Sequence, residues 1–428
     1  MTNYNIRMIK IKSIYFLFLA LITLLSINKW SSVVFGSTFF WWGIQTLFFI
    51  IILSTRKRFF NKLNKKTIWS VNLFLIWMIV CIVRASLIAE NYWEWKNLVT
   101  TSFVLLLGLV VYVFMNPELN RLLLKKWFKF ILPLFFIFIF IIRGDAYGHY
   151  LAPVVLILLL FPLITKKWKI IGLFFILFII LLSQDSRSNI IKFSVSLILG
   201  TSTYYFRFIF SNKVFNLIRL IFLIAPIIFF TLGVSGIFNI FKMSEYIEGD
   251  YTTKVQVDGK TNEVSMTADT RTLIYIEVLS SALNNEYVFF GRTPARGNDS
   301  SIFGEVLAKE LSTGKSERFS NEVSILNVFT WTGLVGVILY FFIFFRASYL
   351  AINKSNNFYI KIIGLFVAFR WMYGWVEDFS RFDLSNIILW MLISMCFSIE
   401  FRNMTNLEFK LWVRGIFSNK FNYVSKTK

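Results

Sequence analysis

The sequence predicts an all-α membrane protein, a polytopic bundle of about twelve transmembrane helices with one large loop on the outer face. The chain has 428 residues, of which 57% are hydrophobic and only 16% are charged, whereas soluble proteins carry about 25% charged residues. Long apolar runs recur along the chain and are continuous rather than alternating, which favours helices over a membrane β-barrel. The formal net charge is nevertheless +22, and the basic residues fall mostly between the runs.

Composition excludes several other classes of protein. Disorder is excluded because disordered chains have low hydrophobicity. A nucleic-acid-binding protein would account for the positive charge, but it would not account for the apolar runs beside the charges. The two cysteines, Cys81 and Cys396, both lie inside apolar runs, so the sequence does not indicate a disulfide framework.

Twelve runs are candidates for membrane spans, because about 20 apolar residues are enough to cross a bilayer. Basic residues up to Lys12 precede the first run, and no small-x-small cleavage site follows it. A retained signal-anchor helix is therefore favoured over a cleaved signal peptide. The fifth and seventh runs are short for a crossing. The predicted spans are 13–28, 33–53, 68–89, 97–115, 130–143, 147–164, 170–184, 190–206, 217–240, 323–345, 360–376 and 384–401.

Basic residues are distributed unequally between the two sides of these spans. If the N-terminus is inside, the inner loops and tails hold 26 Lys and Arg residues, and the short outer loops hold 5. The positive-inside rule therefore predicts that both termini are cytoplasmic. The predicted organisation is nine spans in 1–240, an outer loop at 241–322, three spans in 323–401 and a basic cytoplasmic tail at 402–428.

The outer loop differs from the other connections in length and in charge. Residues 241–322 contain 13 acidic and 9 basic residues. The turn-rich stretch Asp258-Gly259-Lys260 predicts a β-hairpin or a loose loop, and a helix is expected from Asp269 onwards. A compact chain rarely carries so long a connection without a function. We see no internal repeat, which counts against a transporter built from two related halves.

Several kinds of catalytic site are poorly supported. The only histidine is His149, so neither a zinc site nor a Ser-His-Asp triad is indicated. A lone histidine at the mouth of a helix is more often a surface residue than a catalyst. No glycine-rich loop with Gly-Lys-Ser/Thr is present. The sequence therefore predicts no metal site, no cofactor and no ATP hydrolysis.

Arginines are instead grouped near the predicted outer face. A single arginine at the end of a span usually pairs with a carboxylate or extends to the headgroups, and Arg370 even lies within a predicted span. A group of arginines on one face favours anion binding, because guanidinium groups hold phosphate oxygens bidentately and keep their charge. A lipid-linked pyrophosphate is the anion expected at this depth. Its predicted ligands are Arg84, Arg187, Arg271, Arg292 and Arg381.

Three segments resemble motifs of one family. The first is Asp185-Ser186-Arg187-Ser188, which opens a span; the second runs from Asp269-Thr270-Arg271 to Gly291-Arg292; and the third leads from Asn321-Glu322 to Gly333-Leu334-Val335-Gly336. In order and sidedness they are similar to those of the O-antigen polymerase and O-antigen ligase superfamily. These are bacterial membrane glycosyltransferases that act on undecaprenyl-pyrophosphate-linked sugars. The topology matches over most of the chain, and the motifs cover mainly 183–345.

The departures from the family pattern favour one branch of it. Ligases carry a histidine at the end of the large loop, and Glu322 stands nearest that position here. The absence of this histidine favours a polymerase over a ligase that transfers glycan to lipid A core. Some polymerases carry an arginine and a glycine at a fixed spacing. In this chain Gly200 and Gly304 fall slightly off that spacing from Arg187 and Arg292. A polysaccharide flippase or transporter is the further alternative, and it would need a central polar cavity.

The resemblance implies transfer of a growing glycan from undecaprenyl pyrophosphate to a sugar hydroxyl of a second lipid-linked unit, at the periplasmic face of the inner membrane. Arginines would stabilise the leaving pyrophosphate without a metal. A carboxylate would accept the hydroxyl proton, with Glu322 as first candidate and Asp378 and Asp185 behind it; alternatively, Glu322 is a solvated residue or a helix cap. The expected partners are the lipid-linked substrates and the bilayer, with no nucleic acid. Whether a partner protein regulates chain length stays open.

Overall fold

A computed structural model of the protein describes residues 2–182, 186–242, 252–257, 260–265, 269, 271–301, 304, 308–309 and 314–418. Within these ranges, only the backbone is described at 2–7, 145, 252–257 and 260–265. The chain is mostly helical. The helices of the first part are α1 (Thr2–Asn28), α2 (Thr38–Phe59), α3 (Trp69–Ile88), α4 (Tyr92–Phe114), α5 (Pro117–Lys126), α6 (Leu132–Phe138), α7 (Gly144–Tyr150), α8 (Val154–Leu159), α9 (Lys166–Leu182), α10 (Arg187–Tyr205) and α11 (Asn212–Val234).

The segment between the two apolar parts has its own secondary structure. The predicted hairpin is confirmed, since β1 (Thr252–Val257) pairs antiparallel with β2 (Lys260–Ser265). The predicted helix is also present, as α12 (Thr272–Asn284). A second antiparallel pair joins β3 (Asn298–Asp299) to β4 (Glu317–Arg318).

The helices after this segment form the most enclosed part of the bundle. They are α13 (Ser324–Asn353), α14 (Phe358–Tyr373), α15 (Leu384–Phe397), α16 (Ile399–Asn403) and α17 (Asn406–Phe417). Every residue of α15 is buried, and this helix packs against α13, α14 and α4. A helix that is apolar on all sides is stable only when neighbours surround it. By contrast, α3 exposes Leu73, Ile76 and Ile79, and so large an apolar surface suits contact with lipid.

Six of the described helices are long and apolar enough to cross a membrane. They coincide with the first four, the ninth and the tenth of the predicted spans, and the remaining predicted spans contain shorter helices. The predicted span 147–164 is interrupted, because turns at 151–153, including Pro153, separate α7 from α8. The six helices are Met8–Asn28, Thr38–Phe59, Trp69–Ile88, Tyr92–Phe114, Asn212–Val234 and Ser324–Asn353.

The two ends of the bundle are distinguished by the segments that lie there. The carbonyl of Trp30, which follows α1, accepts a hydrogen bond from the amide of Arg143, and this end also carries 271–301 and 314–322. We call it the loop end. At the opposite end, Lys12 of α1 forms an ion pair with Glu118, and the indole of Trp412 donates to the carbonyl of Pro117 at 2.8 Å. The described part of the predicted tail is therefore a helix packed against α5.

Helix α13 is interrupted at Gly333, where φ is +70°. Residues 288–292 lie against the interruption: the amide of Leu334 donates to Val288, and the amide of Arg292 donates to Thr330. A Cβ atom on Gly333 would lie 2.3 Å from the carbonyl oxygen of Phe289, so glycine is required by both conformation and space. The second and third sequence motifs thus meet, and the loop replaces the helix's missing backbone hydrogen bonds.

Candidate functional site at the loop end

The loop end brings three segments together: the start of α12, the residues in front of α13, and the connection 374–383 between α14 and α15. The hydroxyl of Tyr275 donates to the carbonyl of Trp375 at 2.6 Å. The amide of Ser324 donates to the carbonyl of Glu377 at 3.2 Å. Because both bonds end on 374–377, the start of α12 and the start of α13 are held against the same short connection.

Arg271 is positioned by the turn that begins α12. The carboxylate of Asp269 accepts from the amide of Arg271 at 3.1 Å and from the amide of Thr272 at 2.9 Å, which is the turn that aspartate commonly forms. The side chain of Arg271 then reaches away from α12, and its Nε donates to the carbonyl of Val376 at 3.1 Å. The motif Asp269-Thr270-Arg271 therefore directs a guanidinium group at the connection 374–383.

The guanidinium group of Arg271 lies between two carboxylates. It forms an ion pair with Glu322, and its Nη2 is 3.8 Å from Oε2 of Glu377. The second oxygen of Glu322 lies 3.7 Å from Nη2 of Arg318. Since both carboxylate oxygens of Glu322 face guanidinium groups, this geometry favours a positioning role for Glu322 over the predicted role as proton acceptor.

Asp378, the second predicted base, also lies in the site with its carboxylate occupied. One oxygen accepts from Nε of Arg381 at 2.8 Å. The other accepts from the amide and the hydroxyl of Ser380 and from the amide group of Asn327. The side chain is only 5% exposed, so the geometry assigns Asp378 to holding the turn at 378–381. Asp185, the third candidate, lies outside the described residues.

Glu377 is a site residue that the sequence analysis did not single out. Its side chain is 29% exposed. Burial raises the pKa of Glu377 to about 7, and the neighbouring charge of Asp378 raises it further while Arg271 opposes the shift. Near neutral pH this carboxyl group is therefore present in both protonation states, a property common among functional carboxyl groups. No feature of its sequence neighbourhood separates it from Asp378.

Two buried cations lie behind this cluster. The guanidinium of Arg370 stacks over the rings of Phe379 and Tyr373 at 4.4 and 5.0 Å. Its Nε and Nη2 make no hydrogen bond within the described part of the chain. Lys192 of α10 is 5% exposed and donates to the side-chain carbonyl of Asn189 at 2.9 Å. The two cations line one narrow cavity, and the charge of Lys192 also interacts with that of Glu377.

A single lysine inside an apolar run is a signal that the sequence does contain. A cation at membrane depth is costly unless it is paired or functional. Lys192 lies within the predicted span 190–206, so the same argument that was applied to the arginines would have found it.

The predicted arginines form two groups rather than one. Arg271 and Arg381 belong to the cluster described above, whereas Arg84 and Arg292 line a separate pocket of about 450 Å³, together with Arg296. Arg84 donates to the carbonyls of Phe290 and Gly291 at 2.6 and 3.3 Å. Arg84 therefore holds the loop that interrupts α13.

Arg292 is largely neutralised by its surroundings. Its guanidinium group lies 2.6 Å from Asp299 and 3.1 Å from Glu317. Glu317 also forms an ion pair with Arg296 and is only 4% exposed on its side chain. These pairs give Arg292 a structural role in the loop, and they leave less of its charge available to a ligand than the sequence predicted.

Strand β4 connects the two groups. Its first residue, Glu317, binds the arginines of the pocket, and its second residue, Arg318, faces Glu322 in the cluster. Successive side chains of a strand point to opposite sides. Glu317 and Arg318 therefore face different groups although they are adjacent in the chain.

Arg187 lies at the first residue of α10, and its side chain is exposed. The start of α10 is attached to the cluster, because the hydroxyl of Tyr373 donates to the carbonyl of Ser188 at 2.6 Å. The first motif therefore reaches the same end of the bundle as the other two, with Arg187 at its edge.

His149 forms a further contact at the loop end. Its Nδ1 is 3.1 Å from Oδ2 of Asp383, and its ring stacks on that of Trp30 with centroids 4.6 Å apart. Burial opposes ionisation of Asp383, but hydrogen bonds from His149 and from the amide of Asn386 hold the pKa of its carboxyl below the usual range. His149 was singled out from the sequence, but its contact with Asp383 was not predicted.

The fold and the site therefore define a helical protein with helices long and apolar enough to span a membrane, and with a cluster of cations and carboxylates at one end of the bundle. Comparison of the chain with protein-family models, with curated proteins and with solved structures finds no match.

Proposed function

We propose that the protein is a bacterial membrane glycosyltransferase that polymerises undecaprenyl-pyrophosphate-linked oligosaccharide units into O-antigen or a related surface polysaccharide. The observation that carries the proposal is the cluster around Arg271. It joins the start of α12 to Glu322 and to the connection 374–383, and all three family-like motifs reach this end of the bundle. The proposed site is at the outer, periplasmic face of the inner membrane.

The distribution of basic residues between the two ends supports a periplasmic location for the loop end. Basic segments such as Arg56-Lys57-Arg58 and Lys125-Lys126 lie at the end opposite the loop end. The positive-inside rule makes that end cytoplasmic, together with α17 and the start of α1. The loop end then faces the compartment in which lipid-linked sugars are polymerised. Twelve crossings remain part of this proposal, and the short helices α6 to α8 would cross as pairs or with local thinning of the bilayer.

Arg271 is the best-placed ligand for the leaving pyrophosphate. When the glycosidic C–O bond breaks, the electron pair stays with the pyrophosphate, so its negative charge grows. A preorganised cation that faces this charge is typically worth about 3 kcal/mol of transition-state stabilisation. Arg271 is held by Val376 and Glu322, and its side chain remains 18% exposed, which suits contact with a ligand.

The buried cations add to the positive field without touching the solvent. Arg370 and Lys192 have nearly no exposed surface, and charges in a low-dielectric environment act over longer distances than charges in water. Both lie behind the connection that carries Glu377. Arg370 therefore attracts an anion towards Arg271, and Lys192 does so in its protonated form, so no metal is needed for the proposed step.

The alternatives make different products. A ligase would attach finished glycan to lipid A core, and a flippase would move lipid-linked units across the bilayer without extending them. Deletion of the gene separates the three. Loss of a polymerase leaves single repeat units on the acceptor, whereas loss of a ligase leaves the acceptor bare, and loss of a flippase leaves the units inside the cell. We expect the first pattern, with long glycan restored by the wild-type chain; a bare acceptor would contradict the proposal.

A further inference from the structure

We propose that His149, oriented by Asp383, accepts the proton of the sugar hydroxyl that attacks the lipid-linked donor. This inference rests on the proposed function. In this step a bond forms between the hydroxyl oxygen and the anomeric carbon of the donor, and the bond from that carbon to the pyrophosphate oxygen breaks. The electron pair leaves with the pyrophosphate, and the hydroxyl proton passes to Nε2 of His149 and then to water.

The contact with Asp383 determines which nitrogen of His149 can accept a proton. Asp383 begins α15, where one of its oxygens accepts from the amide of Asn386 at 2.8 Å. Its other oxygen is 3.1 Å from Nδ1 of His149. A carboxylate can only accept hydrogen bonds, so Nδ1 carries the hydrogen and Nε2 of the neutral ring carries the lone pair. This is the relation between a base and the carboxylate that orients it in other catalytic sites.

The ring of His149 is partly accessible. Among the residues that the structure describes, it makes no hydrogen bond other than that of Nδ1. The side chain is 18% exposed, whereas that of Asp383 is 8% exposed. The ring is therefore partly open to a substrate, while the orienting carboxylate stays buried.

The orientation of the ring is fixed from the other side by Trp30. The two rings are stacked at an angle of 18° with centroids 4.6 Å apart. The guanidinium of Arg381 lies 5.6 Å from the centre of the Trp30 ring, and Arg381 is itself paired with Asp378. The ring of His149 is thus held by two contacts that both lead to the connection 374–383.

The dyad belongs to the same cluster of charges as Arg271. Lys192 donates to the carbonyl of Gly148 at 3.4 Å, which places the buried cation next to His149. The charge of Lys192 interacts with those of Asp383 and Glu377. At position 148 a Cβ atom would lie 2.0 Å from the side chain of Asn189, so the two helices approach closely there. The close packing of α7 on α10 therefore holds His149 beside the proposed pyrophosphate ligands.

A second reading of the contact is an ion pair that only attaches α7 to α15. Chemical rescue separates the two readings. The protein is purified in detergent, reconstituted in liposomes and supplied with undecaprenyl-pyrophosphate-linked repeat units extracted from a deletion strain. Polymer and released undecaprenyl pyrophosphate are then measured for the wild type, H149A and H149Q. H149Q keeps an N–H donor for Asp383 but has no basic nitrogen. It therefore removes the base without removing that hydrogen bond.

We expect both variants to lose at least about 100-fold in turnover, as general bases typically contribute. Added imidazole should restore H149A, and pyrazole, a ring of the same size that is a far weaker base, should not. Imidazole should fail to restore H149A combined with Asp383→Asn, because the orienting carboxylate is then lost. Equal rescue by both rings, no rescue by imidazole, or an active H149Q would each overturn the role of His149. A wild-type protein that makes no polymer would contradict the proposed function itself.

Discussion

Arg271 forms an ion pair with Glu322, across the 51 residues that separate the start of α12 from the segment in front of α13. The same guanidinium group donates to the carbonyl of Val376. One side chain therefore joins three segments that are far apart in the sequence. Because the pair is partly exposed and lies at the end of the bundle, we expect Arg271 to exchange a carboxylate partner for the oxygens of a bound anion.

Replacement of Arg271 tests this exchange. We expect Arg271→Ala to abolish long glycan in cells while the protein remains in the membrane, and Arg271→Lys to restore only part of it, because an amine cannot bind bidentately. The measurement is the length distribution of the surface glycan on a gel, with protein abundance from an immunoblot. Arg143→Ala is the matched control: this exposed arginine lies at the same end, and its described hydrogen bonds are made by its backbone amide and carbonyl alone. Wild-type glycan in Arg271→Ala would remove Arg271 from the site.

The pKa of Glu377 predicts a pH dependence of anion binding. At pH values below about 7 the carboxyl group is mostly neutral and does not compete for Arg271. At higher pH it is charged, so it repels the incoming anion and retains Arg271. Binding of the anion should therefore take up a proton and weaken as the pH rises. The affinity for inorganic pyrophosphate, measured by calorimetry at about pH 6 and about pH 8, should fall several-fold more for the wild type than for Glu377→Gln.

The glutamine variant also corrects for the ionisation of pyrophosphate itself, because that contribution is common to both proteins. An identical pH dependence in the two proteins would show that Glu377 does not face the bound anion.

The interruption of α13 predicts a cost for any side chain at Gly333. Gly333→Ala would place a Cβ atom 2.3 Å from the carbonyl oxygen of Phe289, at a residue with φ of +70°. Conformational strain of this kind alone costs about 1–3 kcal/mol, so the variant should unfold at a lower temperature in detergent. Gly43→Ala is the control, since a Cβ atom there meets nothing within 4 Å. Equal melting temperatures for the two variants would contradict the close contact between 288–292 and α13.

The orientation of the bundle can be tested with single cysteines. The native thiols of Cys81 and Cys396 are both buried, so they give a low background. We expect Asn284→Cys, at the exposed end of α12, to react with an impermeant thiol reagent from outside. Lys65→Cys, at the exposed opposite end, should react only after the inner membrane is opened. The reverse pattern would invert the topology and with it the proposed location of the site.

Much of the site follows from local sequence patterns. Arg271 and Glu322 were predicted from short motifs, and the structure brings them into contact. The hairpin at β1 and β2 and the helix after Asp269 follow from turn residues and apolar spacing, which depend on few distant contacts. Six spans were recognisable from length and hydropathy for the same reason.

The remaining features depend on tertiary packing that no local pattern contains. Glu377 and Asp378 are adjacent in sequence, but their surroundings in the folded chain separate their roles: Glu377 has a raised pKa, whereas hydrogen bonds occupy both oxygens of Asp378. Arg292 was expected to bind an anion, but the pairing of β3 with β4 supplies Asp299 and Glu317 as its partners. The contact between His149 and Asp383 spans 234 residues, so only the folded chain reveals it.

The most direct test of the proposed function is polymerisation by the purified protein. Liposomes containing the wild-type chain would receive a single preparation of undecaprenyl-pyrophosphate-linked repeat units, and the products would be resolved by mass spectrometry. We expect glycans of two or more repeats on undecaprenyl pyrophosphate, one released carrier for each bond formed, and neither product with Arg271→Ala. Repeat units that stay single, whether they are moved across the bilayer or transferred only to added lipid A core, would contradict the proposed function.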